Sequence, residues 1–102
     1  FDVMSLGMGQ DGHFASLFPS MVDDAAMDID TAPAIIQTGP EGSPLCRRIS
    51  MNLPMILQSR LVLLLVKGTA KKEVLKAAQT DQSLPLHYLI TQTVKSVRVV
   101  TE

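Results

Sequence analysis

The chain is poor in the residues that announce several common functions. It has one cysteine (Cys46), no tryptophan, one tyrosine and three phenylalanines among 102 residues. A single cysteine excludes an internal disulfide and any cysteine-rich metal cluster, so no metal ligands are assigned. Scarce aromatics argue against a base-stacking platform. A net charge of −1 provides no basic surface for nucleic acid or anionic lipid. The longest apolar runs, "LVLLLV" and "FDVMSLGM", fall well short of the roughly 20 residues of a membrane-spanning helix. No basic-then-apolar leader opens the chain. The expectation is a protein of the reducing cytoplasm that takes neither nucleic acid nor membrane as a partner.

What is present reads as globular. Apolar residues make up 46 %, and the length suits one domain or a piece of one. The first residue, Phe1, already lies inside a strand-like run and no initiator Met precedes it. Residues 1–102 are therefore expected to be the C-terminal part of a single longer domain.

Apolar runs alternate with helical patterns along the chain. Phe1–Leu6 reads as a buried strand, and "HFASLFP" as one or two helical turns closed by Pro19. Ser20–Pro33, small and acidic, reads as a surface loop with a helical turn. "APAIIQTG" and Cys46–Met51 are short strand candidates, with the Pro/Gly/Ser-rich "PEGSP" as a loop between them. "LPMILQSR" has the form of a helix with Pro54 in its first turn. Leu61–Val66 is continuously apolar, as expected of a central parallel strand covered on both faces. "TAKKEVLKAAQ" follows as a helix with Thr69 as N-cap and Val74, Leu75 and Ala78 on one face. "LPLHYLITQ" is another short helix, and "VRVV" a closing edge strand. Strands alternating with helices predict an α/β fold, a Rossmann-like, mostly parallel sheet with flanking helices.

In such sheets ligands bind beyond the carboxyl ends of the strands, and two strand-to-helix junctions are chemically loaded. In "KGTAKK", Lys67, Lys71 and Lys72 crowd the start of a helix. Cations there oppose the helix dipole, unless an anion joins them on the free backbone N–H groups. Gly68 would let that anion approach; surface lysines in a first turn are the plain alternative.

In "GMGQDGH", Gly7, Gly9 and Gly12 permit a tight turn with positive φ and close backbone approach to a ligand. Asp11 is expected to cap the following helix. His13 would then sit in its first turn, where the dipole disfavours imidazolium and keeps the ring neutral, as a general base requires. Arg47 and Arg48 offer an anion contact or ordinary surface charge. His87, on an apolar helix, reads as packed or half-exposed, Arg60 stands at the wrong end of its strand, and Cys46 is inert.

These residues carry a family resemblance. "FDVMSLGMGQDGHFASLFP" resembles the signature of the 6-phosphogluconolactonases, and "RRISMNLP" is similar to their Arg-Ile-Ser/Thr segment. "LVLLLVKGTAKKEVL" is similar to their strand–Gly–x–x–Lys–helix element, and "LPLHYLI" to their late Leu-Pro helix. The resemblance runs nearly the whole chain in order and is weakest over Met21–Pro44.

It implies the sugar-phosphate isomerase type of α/β fold, present here as a partial domain. The implied activity is cofactor-free hydrolysis of 6-phospho-D-glucono-1,5-lactone in the oxidative pentose phosphate pathway. His13 would be the general base and Asp11 its orienting partner. Gly9 and Gly12 would be substrate-binding, with backbone N–H groups over Gly9–Gly12 facing the oxyanion. Lys71, at the Gly-x-x-Lys position, and Arg48 would hold the substrate phosphate.

Related glucosamine-6-phosphate deaminases and isomerases carry a similar Asp-Gly-His turn, but with a glutamate just before the closing proline. Here Phe18 precedes Pro19, and a phenyl ring cannot relay a proton. A non-enzymatic sugar-phosphate sensor of the same fold is the remaining alternative; it would keep Lys71 without needing the Asp-Gly-His turn. An isolated partial domain is expected to be inactive and to self-associate through its unpaired sheet edge or apolar surface.

Overall fold

The computed structural model describes residues 1–102. Three parallel strands, β1 (Val3–Leu6), β4 (Leu61–Val66) and β5 (Val97–Thr101), form a sheet in the order β1-β4-β5. Val3 pairs with Leu61 and Leu6 with Leu64, while Val62 pairs with Val97 and Val66 with Thr101. β4, the continuously apolar run, is the central strand, and β5 lies at an edge as expected. Between β1 and β4 the chain makes an antiparallel pair, β2 (Ile35–Gln37) with β3 (Ile49–Met51), and then the helix α1 (Leu53–Leu57). From β4 it returns through α2 (Thr69–Ala78) and α3 (Pro85–Thr91) to β5.

One face of the sheet holds the core. Met4, Leu6, Val62, Leu64 and Val66 point into it and meet Leu53, Ile56, Ala78, Leu86 and Leu89. Fully burying a side chain of Leu or Val size contributes roughly 1.5–3 kcal/mol. The opposite face departs from expectation. β4 alternates half-buried and buried residues, with Leu65 46 % exposed, and Val3 and Val100 flank it at 55 % and 42 %. No element of these residues covers that side, so the strand expected to be buried on both faces is buried on one.

"HFASLFP" is not helical. Phe14 and Leu17 are fully buried, but they meet through single β-bridges, Met8 with Phe14 and Phe14 with Leu17. The backbone turns to positive φ at Gly12 (83°) and Ala15 (49°), and two left-handed residues within four cannot propagate a right-handed helix. A 3-10 turn, Pro19–Met21, begins only at the proline, and a second, Ala25–Met27, follows. Their Met21, Ala26 and Met27 are buried, so the loop expected at the surface contributes to the core.

Other boundaries move for local reasons. The N-cap of α2 is Gly68 (φ 91°) rather than Thr69, which is the first helical residue. α1 begins behind Asn52, whose Oδ1 accepts from Met55 N–H at 3.0 Å, a cap bond. The same oxygen accepts from Ala34 N–H at 3.0 Å, while Nδ2 donates to Ala32 O at 2.9 Å. At 3 % exposure, Asn52 is a buried strut joining the segment before β2 to the start of α1. Of the candidate helix over residues 53–60, Leu53–Leu57 is helical; the strand expected over residues 46–51 shortens to β3.

Candidate functional site

The turn Gly7–His13 leaves the carboxyl end of β1, beside the end of β4 that leads into α2. Gly9 N–H donates to His13 O at 2.9 Å and Gly12 N–H to Gly9 O at 3.0 Å, which closes the turn on itself. Gly12 O accepts from Leu86 N–H at 3.0 Å, tying the turn to α3. Of the three glycines only Gly12 has positive φ, and a Cβ there would also meet the Leu84 side chain at 3.0 Å. Gly9 is required for space instead. A Cβ on it would overlap the His13 ring and stand 2.8 Å from Asp11 Oδ1. Gly7 faces open space.

Asp11 does not cap a helix; it organises the turn and the histidine together. Its Oδ1 accepts from His13 N–H at 3.1 Å and makes a short hydrogen bond with His13 Nδ1. Partial burial pushes the Asp11 carboxyl up, but the side-chain and backbone hydrogen bonds and the charge of His13 outweigh this and hold it below its usual value. A carboxylate on Nδ1 fixes the tautomer with the proton on that nitrogen, leaving the Nε2 lone pair free. The dyad is open: the side chains of His13 and Asp11 are 31 % and 48 % exposed. With no helix at His13 the dipole has no bearing on the ring; what Asp11 supplies is its orientation and the choice of nitrogen that carries the hydrogen bond.

His13 stands between two adjoining clefts. One, of about 540 Å³, is lined by Gln10, Asp11, His13, Ser16, Phe18, Gly42, Ser43 and Arg48, among others. The second, of about 640 Å³, runs along the carboxyl end of β1 and is lined by Gly7, Gly9, His13, Met51 and Lys71, among others. Each lies in the range that holds a small metabolite. His13 and Lys71 therefore open onto one shared cleft, and Arg48 faces His13 from the other. Lys71 and Arg48 do not line a single cavity.

The lysine cluster resolves into three different situations. Lys67 is exposed and lies 3.7 Å from Glu102, and Lys72 is exposed. Lys71 is half-buried, faces the cleft, and has no carboxylate within ion-pair distance. A Cβ on Gly68 would meet nothing within 4 Å, so the backbone at the start of α2 is open to approach.

Arg48 is placed by the β2–β3 pair. Its N–H donates to Thr38 Oγ1 at 3.0 Å and its carbonyl accepts from Thr38 N–H at 2.8 Å. Its guanidinium Nε donates to Glu41 O at 3.1 Å and an Nη to Pro44 O at 2.9 Å, which holds the Glu41–Cys46 loop against the cleft. Gly42, with φ 79°, passes so close that a Cβ would meet the guanidinium at 2.7 Å. Ser50 Oγ accepts from Ser16 N–H at 3.1 Å and braces the same wall. Arg47 is exposed. His87 is half-buried, with Nδ1 on Ala78 O at 2.7 Å, the packed role expected of it.

The backbone donors of the turn are partly committed. Gly9 and Gly12 N–H are bound within the turn, whereas those of Gln10 and Asp11 have no intramolecular acceptor and are free to face a ligand. Ser16, Gly42 and Ser43 were not singled out in the sequence. They carry no motif beyond their places on two loops that only tertiary structure brings together.

Comparison with known proteins agrees with this fold. Residues 1–99 match the family described as glucosamine-6-phosphate isomerases/6-phosphogluconolactonase. The chain is 36 % identical over 102 residues to a 6-phosphogluconolactonase of Caulobacter vibrioides, covering 98 % of this chain and 44 % of that one. It is 38 % identical over 104 residues to one of Haemophilus influenzae, covering 100 % of this chain and 41 % of that protein. Among solved structures, a 6-phosphogluconolactonase from Shewanella baltica superposes with a TM-score of 0.80 at 31 % identity, covering 99 % of this chain and 44 % of that one. One from Thermotoga maritima gives 0.74 at 29 %, covering 100 % and 44 %. The chain thus spans less than half the length of the relatives it matches. With nearly every residue inside the match, it belongs to the glucosamine-6-phosphate isomerase/6-phosphogluconolactonase family.

Proposed function

We propose that the protein carrying these residues hydrolyses 6-phospho-D-glucono-1,5-lactone to 6-phosphogluconate, and that residues 1–102 form the C-terminal part of its single domain. The observation that carries this reading is the Asp11–His13 pair, with Asp11 on Nδ1 and Nε2 left to work at the junction of two clefts. His13 Nε2 takes a proton from water as the water oxygen bonds to the lactone carbonyl carbon. The resulting oxyanion is met by the free backbone N–H groups of Gln10 and Asp11. When the tetrahedral species collapses, the bond to the ring oxygen breaks and the imidazolium returns its proton to that oxygen. Lys71, uncompensated beside the start of α2, binds the phosphate. Arg48 faces the other end of the substrate. The steps are proton transfers and one displacement at carbon, which ask for no cofactor.

Phe18 supports hydrolysis over the deaminase or isomerase reaction. It occupies the wall beside His13 where a carboxylate would be needed to share in ring opening, and its ring stacks on the imidazole instead. No helix is long and apolar enough to cross a membrane; with the free, exposed Cys46, we place the protein in the cytoplasm. The uncovered sheet face makes the 102-residue chain alone inactive and prone to self-association.

The test is lactone turnover by the complete gene product, corrected for spontaneous hydrolysis. His13→Ala should lower it roughly 10²–10⁴-fold, and a loss under threefold contradicts the assignment. Release of ammonia from glucosamine 6-phosphate at a comparable rate would favour the deaminase reading.

A further inference from the structure

Phe18 does more than withhold a carboxylate. Its ring centroid lies 4.6 Å from that of His13 with 26° between the planes, an offset stack. The guanidinium carbon of Arg48 lies 5.7 Å from the same centroid, within cation–π reach. The ring is itself immobilised. Phe18 is 5 % exposed, its N–H donates to Met21 Sδ at 3.4 Å, its carbonyl accepts from Met21 N–H at 2.8 Å, and Pro19 fixes the chain beyond.

A single side-chain hydrogen bond to Asp11 leaves the imidazole free to tilt about that contact, and with it the direction of Nε2. A ring stacked on the imidazole face removes that freedom. Arg48 is tethered to two loop carbonyls on one side, and the same ring seats its other flank.

We propose that Phe18 is a positioning residue, whose π face sets the plane of the His13 imidazole and the seat of the Arg48 guanidinium. Its consequence for turnover rests on the lactonase reading above; its consequence for His13 does not. The experiment compares Phe18→Leu, which keeps apolar bulk and loses the π face, with Phe18→Tyr, which keeps the face. It reads kcat and KM of the complete gene product and, by NMR, the His13 Hε1 resonance, which the stacked ring shifts upfield.

Phe18→Leu should lower kcat about tenfold, raise KM severalfold through Arg48, and move Hε1 downfield. Phe18→Tyr should restore kcat to within threefold and keep Hε1 upfield. Should Phe18→Leu not fold, Phe18→Met serves in its place. An unmoved Hε1 in the Leu or Met variant overturns the proposal. So does an equal loss of activity in the Leu and Tyr variants that tracks their melting temperatures, the behaviour of a core residue alone. His13→Ala separates the two readings: if it keeps turnover, the catalytic reading fails, while the Hε1 shift still decides the role of Phe18.

Discussion

Substituting Gly9 by alanine perturbs the catalytic pair without touching either member. Gly9 does not occupy the left-handed region, so a methyl group there costs no backbone strain; the cost is the space it takes. The added carbon would overlap the imidazole of His13 and sit 2.8 Å from Asp11 Oδ1, so one of the two side chains must swing out. His13, one-third exposed, can leave by giving up its bond to Asp11 and its stack on Phe18. The fold therefore loses little, about 1 kcal/mol for a half-exposed hydrogen-bonded pair, or about 2–4 °C in Tm for a protein more than twice this chain's length.

Turnover loses much more. A displacement near 1 Å in a reacting group costs about 10²-fold, so Gly9→Ala should approach the His13→Ala level while remaining folded. Gly39→Ala is the control, because a Cβ there meets nothing within 4 Å. The assay is the corrected lactone hydrolysis, with circular dichroism melting alongside. A Gly9→Ala enzyme within threefold of the wild type would refute the claim that the Asp11–His13 geometry sets the rate.

Further predictions follow from individual side chains. Lys71→Ala should raise KM, or weaken binding of a phosphorylated product analogue, about 10–100-fold, the worth of a charge-assisted contact. Lys67→Ala, which loses only an exposed pair with Glu102, should change neither; equal effects would dismiss Lys71 as the anion ligand. Asn52→Ala leaves two half-buried N–H groups and a carbonyl without their partners. It should cost about 2–3 kcal/mol, or a fall of roughly 4–12 °C in Tm of the complete protein, and a fall under 3 °C would contradict its role as a strut.

Asp11 is held below its ordinary value in the folded state. Its contribution to stability is therefore present above the unfolded carboxylate range and lost as pH falls through the folded value. Urea unfolding should show Asp11→Asn less stable than the wild type at pH 7, by about 1 kcal/mol or less for so exposed a group. The gap should close in strong acid, and a gap that widens there would be of the wrong sign.

The frame of the molecule was legible in the sequence where local pattern and tertiary demand coincide. Leu61–Val66 reads as a central parallel strand because its neighbours pair on both edges, and α2 because its apolar residues keep one helical face. The reading failed where an apolar spacing had two explanations. Phe14, Leu17 and Phe18 recur at helical intervals, yet Gly12 and Ala15 turn the chain through positive φ and the three rings and branches are buried by a compact turn.

At the site, Asp11 and His13 could be named because glycines mark them locally; the helix start marks Lys67, Lys71 and Lys72 together, and only the family resemblance chooses Lys71 among them. The contact between Phe18 and His13 has no local mark, and neither does the return of Arg48 onto the same ring. The first depends on the compact turn that brings residue 18 back over residue 13, the second on the β2–β3 pair carrying a distant segment to it. Asn52 was the one omission with a readable signal, an asparagine directly before a Leu-Pro helix start.

The claim on which the account stands is that Asp11 acts on the reaction through His13. A double-mutant cycle of Asp11→Asn and His13→Ala, read in kcat/KM for the lactone by the complete gene product, tests it directly. Groups working as one unit are strongly non-additive, so the double variant should be no slower than His13→Ala alone, within about threefold. Losses that multiply, each variant costing its full factor in the presence of the other, would contradict it.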